Sequence, residues 1–205
     1  MEKIVIMGAS DAALEVYNVL NDMGLREEIY FYEENASRLG ESHGSSIIID
    51  IKTLDKPIVA VQGVGRPHKK FIKRVSKYVT EWMKVIHPTA RLCNDINIGI
   101  GAFIQQNVIV MPFAKLGNFT YLNVGALIGH HVEIGDYSHV GPYAKIMGRV
   151  TIGEECYVGV NSVILEKIKI ADRVVIGAGA VVVNDIIEDG TVWVGVPAKN
   201  IEKRK

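Results

Sequence analysis

From Ile86 onward an aliphatic residue stands at every sixth position: Ile86, Leu92, Ile98, Ile104, Val110, Leu116, Leu122, Ile128, Ile134, Val140, Ile146, Ile152, Val158, Ile164, Ile170, Ile176 and Val182. A period of six matches neither the 3.6 of a helix nor the 2 of a plain strand; it fits a short strand plus a turn, laid down again and again as one flank of a coil. The spacing therefore predicts a β-solenoid, with the aliphatic residues pointing inward and stacking on their equivalents in the next coil. Four residues after the aliphatic comes a small or β-branched side chain, as in Ala90, Ala102, Ala114, Thr120, Ala126, Ser138, Ala144, Ser162 and Ala180, which fills the remaining interior. Cys156 shares that slot and is expected to fill core. Glycine follows the aliphatic directly at 99, 117, 129, 135, 141, 153, 159 and 177, where it is expected to relax the backbone at the corners.

Composition narrows the role. The 205 residues carry 23 Lys+Arg against 23 Asp+Glu, so no basic field exists to gather phosphate backbones, and small molecules or protein partners are expected instead. The richest apolar stretch, residues 174–183, contains glycines and is bracketed by Arg173 and Asn184-Asp185, which argues against a membrane span. The opening apolar run reads as a buried strand, too short for a signal-peptide core. Cys93 and Cys156 form neither a CxxC pair nor a disulfide framework, so a reducing cytoplasm is expected.

The first third alternates strand and helix, which implies a small parallel α/β sheet of Rossmann type. Residues 3–8 read as a strand, 11–23 as a helix with Val16, Val19, Leu20 and Met23 on one face and Gly24 closing it, and 28–34 as a second strand. After a polar loop come a strand ending at Gln62 and a basic helix over 67–79 with Phe71, Ile72, Val75 and Val79 inward. The turn Gly8-Ala9-Ser10-Asp11-Ala12-Ala13 is a degenerate dinucleotide fingerprint keeping only its first glycine, and Asp11 would repel an anion there. Glu33-Glu34, about 20 residues on, stands where a ribose partner usually lies; a solvated loop is the alternative. Arg66, Lys69, Lys70, Lys73 and Arg74 read as a solvated helix face, with contact to a diphosphate as the alternative.

The hexad pattern resembles that of the left-handed β-helix acyltransferases, in which three hexads make one triangular coil. On that resemblance residues 86–187 give five to six coils, and one coil of 18 residues places Pro112 below His130 and Gly148 above it. His130, His131 and His139 all avoid the inward slots and are expected to project outward or at a corner. The run Leu122-Asn123-x-x-Ala126-x-Ile128-x-His130, followed by Ile134-Gly135-Asp136 and Ser138-His139, is similar to the sialic acid O-acetyltransferase and nucleotide-amino-sugar N-acetyltransferase family of the bacillosamine-pathway type. Gly8-Ala9-Ser10, Ile86-His87-Pro88-Thr89-Ala90 and Gly195-Val196-Pro197-Ala198-Lys199 extend the resemblance over nearly the whole chain.

The resemblance implies two units, an α/β nucleotide-sugar-binding domain at 1–82 and the β-helix with a C-terminal cap at 83–205. It implies a cytoplasmic homotrimer that transfers acetyl from acetyl-CoA to the amine of a nucleotide-linked sugar, without a metal. His130 would be the general base and the Gly148 N–H the oxyanion donor. His139 would touch the thioester region of acetyl-CoA; Val160, Ala178 and the 195–199 segment with Lys199 would line the cofactor track. Gly8, Ser10, Glu33, Glu34, Gly63 and Asn123 match positions that hold the acceptor.

The sequence departs from the family pattern in two places. The acidic residue that follows the catalytic histidine is His131 here, which leaves the base weaker or oriented by another group. Asp11-Ala12 replace the customary Gly-His of the first turn, which puts the usual diphosphate contacts in question. O-acetylation of a sialic-acid-like sugar and a non-catalytic trimeric nucleotide-sugar-binding scaffold are the alternatives. A carbonic-anhydrase-like zinc site would need other histidine spacings than the one and eight found here.

Overall fold

The computed structural model describes residues 3–25, 28–55, 57–65 and 69–201. Arg66 and Pro67 of the expected basic helix lie outside the described residues. The chain forms a small α/β region followed by a left-handed parallel β-helix.

In the first region β1 (Lys3–Met7), α1 (Asp11–Asp22), β2 (Ile29–Tyr32), β3 (Ser42–His43), β4 (Ser46–Ile49), β5 (Ile58–Gln62), α2 (Lys69–Val75) and β6 (Glu81–Trp82) follow one another. The sheet order is β3-β4-β2-β1-β5-β6, all parallel except β3, which pairs antiparallel with β4. The stretch read as a polar loop thus supplies two strands. Ile47-Ile48-Ile49 after the Gly44 turn was the overlooked signal: Ile48 is buried and pairs with Phe31 of β2. Alternation along β1 serves two layers, with Ile4 and Ile6 packed toward α1, and Val5 and Met7 toward Val75 of α2.

The β-helix has three faces. Its two-residue strands each end on a hexad aliphatic and pair with the strands 18 residues before and after, as Leu127–Ile128 pairs with Ile109–Val110 and Lys145–Ile146. Five coils carry all three strands; the sixth has Val175–Ile176, Val181–Val182 and an isolated bridge from Ile186 to Ile170. The hairpin Val192–Val194 with Lys199–Ile201 closes the top. From Ile104 to Val182 the inward aliphatics are at most 4% exposed.

The glycines after the aliphatics do not supply the corner conformation. Left-handed backbone falls two residues later, at twelve non-glycine positions with φ between 54 and 65°, including Phe113, Phe119, His131, Tyr137 and Tyr143. The glycines are needed for close approach: a Cβ on Gly135 would lie 2.6 Å from the carbonyl carbon of Gly153 and 2.7 Å from the Glu154 amide nitrogen, in the next coil.

The residue preceding each inward aliphatic faces outward and decides what covers each face. On the third face these are Asn97, Lys115, Glu133, Thr151 and Lys169, a solvated row in which Lys115 and Glu133 pair at 2.7 Å. On the first face Val85, Phe103 and Tyr121 are at most 2% exposed because α1 packs over them. Gln62, at the end of β5, ties the two regions together by donating from Nε2 to the carbonyls of Gly101 (2.9 Å) and Thr120 (3.3 Å).

Gly135→Ala is expected to lower the unfolding free energy by about 1–3 kcal/mol, because the clash is with backbone that must hold coil spacing. Thermal or denaturant unfolding reads it; an unchanged midpoint would contradict the close-approach account.

Candidate active site and its relatives

The predicted residues lie in three places. His130, His131 and Gly148 occupy the corner between the second and third faces, with both histidines exposed. The strand Leu127–Ile128 ends immediately before this corner and fixes its height. His130 Nδ1 lies 3.1 Å from His131 Nδ1, the rings nearly perpendicular at 88°. The other edge of the His130 ring lies on Gly148: a Cβ there would be 2.6 Å from Nε2 and 2.7 Å from Cε1. Gly148 is therefore the residue that leaves room for the imidazole. Its N–H makes no hydrogen bond to the described residues, whereas at the next corner the corresponding amides of Asn118 and Glu154 are capped by Asp136 and Asp172 carboxylates at 2.7 and 2.8 Å.

His131 sits in left-handed backbone with φ 58°, its amide bonded to the Pro112 carbonyl at 3.1 Å and its ring against Phe113 at 4.9 Å. Partial desolvation, then the Arg149 cation and His130, hold its pKa below the ordinary histidine value. His131 is thus the side chain that contacts the His130 Nδ1.

The second place is the corner between the first and second faces. Asn123 stands there two coils before Val160, Ala178 follows in the next coil, and the 195–199 segment continues the column upward through Val181 N–H to Gly195 O (3.0 Å) and Ala198 N–H to Val181 O (2.7 Å). Val160, Ala178 and Lys199 are exposed. Asn123 borders a cleft of about 370 Å³ with Glu15, Asn18, Gln105 and Pro142, and donates to the Tyr121 hydroxyl at 3.2 Å. Tyr121 in turn donates to Glu15 at 2.9 Å; burial, then the Glu15 charge, push its pKa well above the ordinary tyrosine value. His139 departs from expectation: it faces outward from the first face but is only 6% exposed, packed between Tyr121 (4.4 Å) and Tyr157 (5.1 Å).

The third place is a cleft of about 430 Å³ at the carboxyl ends of β1, β2 and β5, lined in part by Gly8, Ser10, Glu33, Glu34, Lys70 and Arg74. Gly8 and Gly63 allow these strand ends to approach, since a Cβ on Gly8 would lie 2.7 Å from the Gly63 carbonyl oxygen; Gly63 itself is buried behind the loop. Ser10 precedes α1 without a side-chain cap bond. Glu33 accepts the Glu34 amide at 2.8 Å, and Arg74 holds Glu34 by two bonds of 2.7 Å.

Arg38 and His43 carry no sequence motif and were missed: they bond the loop carbonyls of Ala9 (3.0 Å) and Ser10 (3.2 Å). Both come from the segment read as a polar loop. The solvated-face reading fails for Lys69, which bonds Glu154 at 2.9 Å and lies over Tyr137. Among the described residues no three His, Cys, Asp or Glu side chains converge as a metal site would require.

Residues 131–165 and 149–184 match the bacterial transferase hexapeptide (six repeats) profile. Among curated proteins no sequence matches. Solved structures with the same fold include the acetyltransferase domain of PglB from Neisseria gonorrhoeae FA1090 in complex with acetyl coenzyme A, with TM-score 0.89, 24% identity and 97% of this chain and 98% of that chain covered. A perosamine N-acetyltransferase variant from Caulobacter crescentus, in complex with CoA and GDP-perosamine, has TM-score 0.87, 22% identity and covers 98% and 97%. WeeI from Acinetobacter baumannii AYE has TM-score 0.89 at 21% identity and covers 98% and 100%.

Gly148→Ala is expected to displace the His130 ring, visible as changed His130 imidazole signals by NMR, with unfolding free energy altered by less than about 1 kcal/mol because the obstructed group is an exposed side chain. Unchanged signals would place the ring elsewhere.

Proposed function

We propose that the chain is an acetyl-CoA-dependent acetyltransferase acting on the amino group of a nucleotide-linked amino sugar, with His130 as general base. The observation that carries the reading is the exposed His130 with its Nε2 set against Gly148 of the next coil, in a fold shared with structures holding CoA and GDP-perosamine. In the reaction Nε2 accepts a proton as the neutral amine attacks the thioester carbonyl. The oxyanion so formed meets the Gly148 N–H. Its collapse breaks the C–S bond, and the proton held on His130 passes to the departing CoA sulfur.

The strand-end cleft supports a nucleotide-sugar acceptor. The start of α1 and the Lys70 cation lining the cleft offer a diphosphate favourable contacts. The column of Asn123, Val160, Ala178 and the 195–199 segment is the proposed acetyl-CoA track, with the buried His139 beside it.

These groups stand on a different corner from His130, a full face away. A second helix bringing its own corner alongside would complete the site, and a cyclic heterologous trimer does this three times over. The second face and its corner supply the apolar surface: Ile109, Met111, Phe113, Met147 and Leu165 are 38 to 51% exposed. No described helix is long and apolar enough to cross a membrane, and both cysteines are free, which suits a cytoplasmic setting.

Free-thiol release from acetyl-CoA with UDP-, dTDP- and GDP-linked amino sugars and with free sialic acids is the test. Release dependent on a nucleotide amino sugar and reduced about 10²–10⁴-fold in His130→Ala is expected. Release only with sialic acids would make the chain an O-acetyltransferase, and ligand binding without release would make it a scaffold. Light scattering is expected to give three times the 22.6 kDa chain mass; a monomer would contradict the shared site.

A further inference from the structure

We infer that His131 is the positioning residue for His130: its Nδ1 lone pair accepts the His130 Nδ1–H and so fixes the tautomer that leaves Nε2 free to take the substrate proton. The inference rests on the acetyltransferase reading for its catalytic consequence, but its geometry stands independently. Two ring nitrogens 3.1 Å apart hold one proton between them. If His130 is the donor, its Nε2 carries a lone pair beside Gly148; if His131 is the donor, the His130 proton sits on Nε2 and no base faces the site. With both rings charged, two N–H groups would oppose each other and the contact would break.

The surroundings of His131 accommodate the first arrangement and disfavour a second proton on its ring. Its amide is tied to Pro112, its ring is braced on Phe113, and the charged groups acting on it are Arg149 from the next coil and His130 itself. Among the described residues no carboxylate bonds it, and partial desolvation, then the Arg149 cation, disfavour a second proton. His131 is exposed, able to keep its own proton on the solvent side at Nε2 while Nδ1 accepts. After His130 takes the substrate proton, the same contact becomes a charge-assisted hydrogen bond that stabilises the imidazolium. An imidazole thus fixes orientation as a carboxylate would.

The experiment uses the intact chain labelled with ¹⁵N-histidine. Long-range ¹H–¹⁵N spectra above neutral pH report which ring nitrogen of His130 is protonated, with assignment from His130→Ala. The expected wild-type result is His130 protonated at Nδ1. His131→Phe keeps the ring on Phe113 and suits the backbone, since Phe113 and Phe119 already occupy the same left-handed position, but it removes the acceptor. It is expected to lose the tautomer and to lower kcat by about 10-fold or more, with KM for acetyl-CoA unchanged. His131→Asn, whose Oδ1 accepts, restores the tautomer and most of kcat. His131→Glu, whose carboxylate also accepts, is likewise expected to keep the tautomer.

His130 protonated at Nε2 in the wild type, or a tautomer unchanged in His131→Phe, would overturn the inference. The spectra need no turnover: the expected tautomers with no thiol release from any acceptor would overturn the acetyltransferase reading and leave the histidine pair standing.

Discussion

The structure depends on one spacing, the distance between successive coils of the β-helix. Backbone hydrogen bonds such as His87 N–H to Ile104 O and Gly99 N–H to Leu116 O, at 2.9 and 2.8 Å, lock each coil to the next. At that spacing no Cβ fits at Gly99, Gly117, Gly129, Gly135 or Gly153, and the inward aliphatics meet in unbroken columns. Strands of two residues could not persist alone; they persist because every coil is a template for its neighbours.

The same stacking builds the site. A regular prism puts residues 18 positions apart directly above one another, so a histidine at 130 meets a glycine at 148 and a phenylalanine at 113 underlies the ring at 131. Left-handed backbone at the corners, unfavourable by about 1–2 kcal/mol for a residue with a side chain, is offset by such side-chain stacks, as also for Phe119 on Tyr137 at 5.3 Å. Rigidity of this kind suits a base whose reach is set by a few tenths of an ångström.

The α/β region depends on the β-helix in turn. Its α1 lies between its own sheet and the apolar outward residues of the first face, so the two regions share one core through Val85, Phe103 and Tyr121. Gln62 and the Lys69–Glu154 pair fix the strand-end cleft relative to the coils. A sugar nucleotide bound in that cleft would be presented from a fixed platform and not from a tethered domain.

The sequence by itself determined the solenoid, because a period of six repeated seventeen times admits no other regular packing of its aliphatic residues. It also put His130 beneath Gly148, since an unbroken repeat turns sequence distance into height. It misplaced the reason for the glycines, because contact with the next coil is a tertiary fact while corner freedom is a local one. It passed over Arg38 and His43, whose bonds to the Gly8–Ser10 loop span a connection with no periodic signal. His139 lies on an outward position but is buried, and only the folded chain places Tyr121 and Tyr157 against it. His131 shows the division most sharply. Its residue type reads as the loss of a charge, whereas the 3.1 Å contact between ring nitrogens shows a hydrogen-bond partner retained, because tautomer and orientation are set by geometry that no sequence spacing encodes.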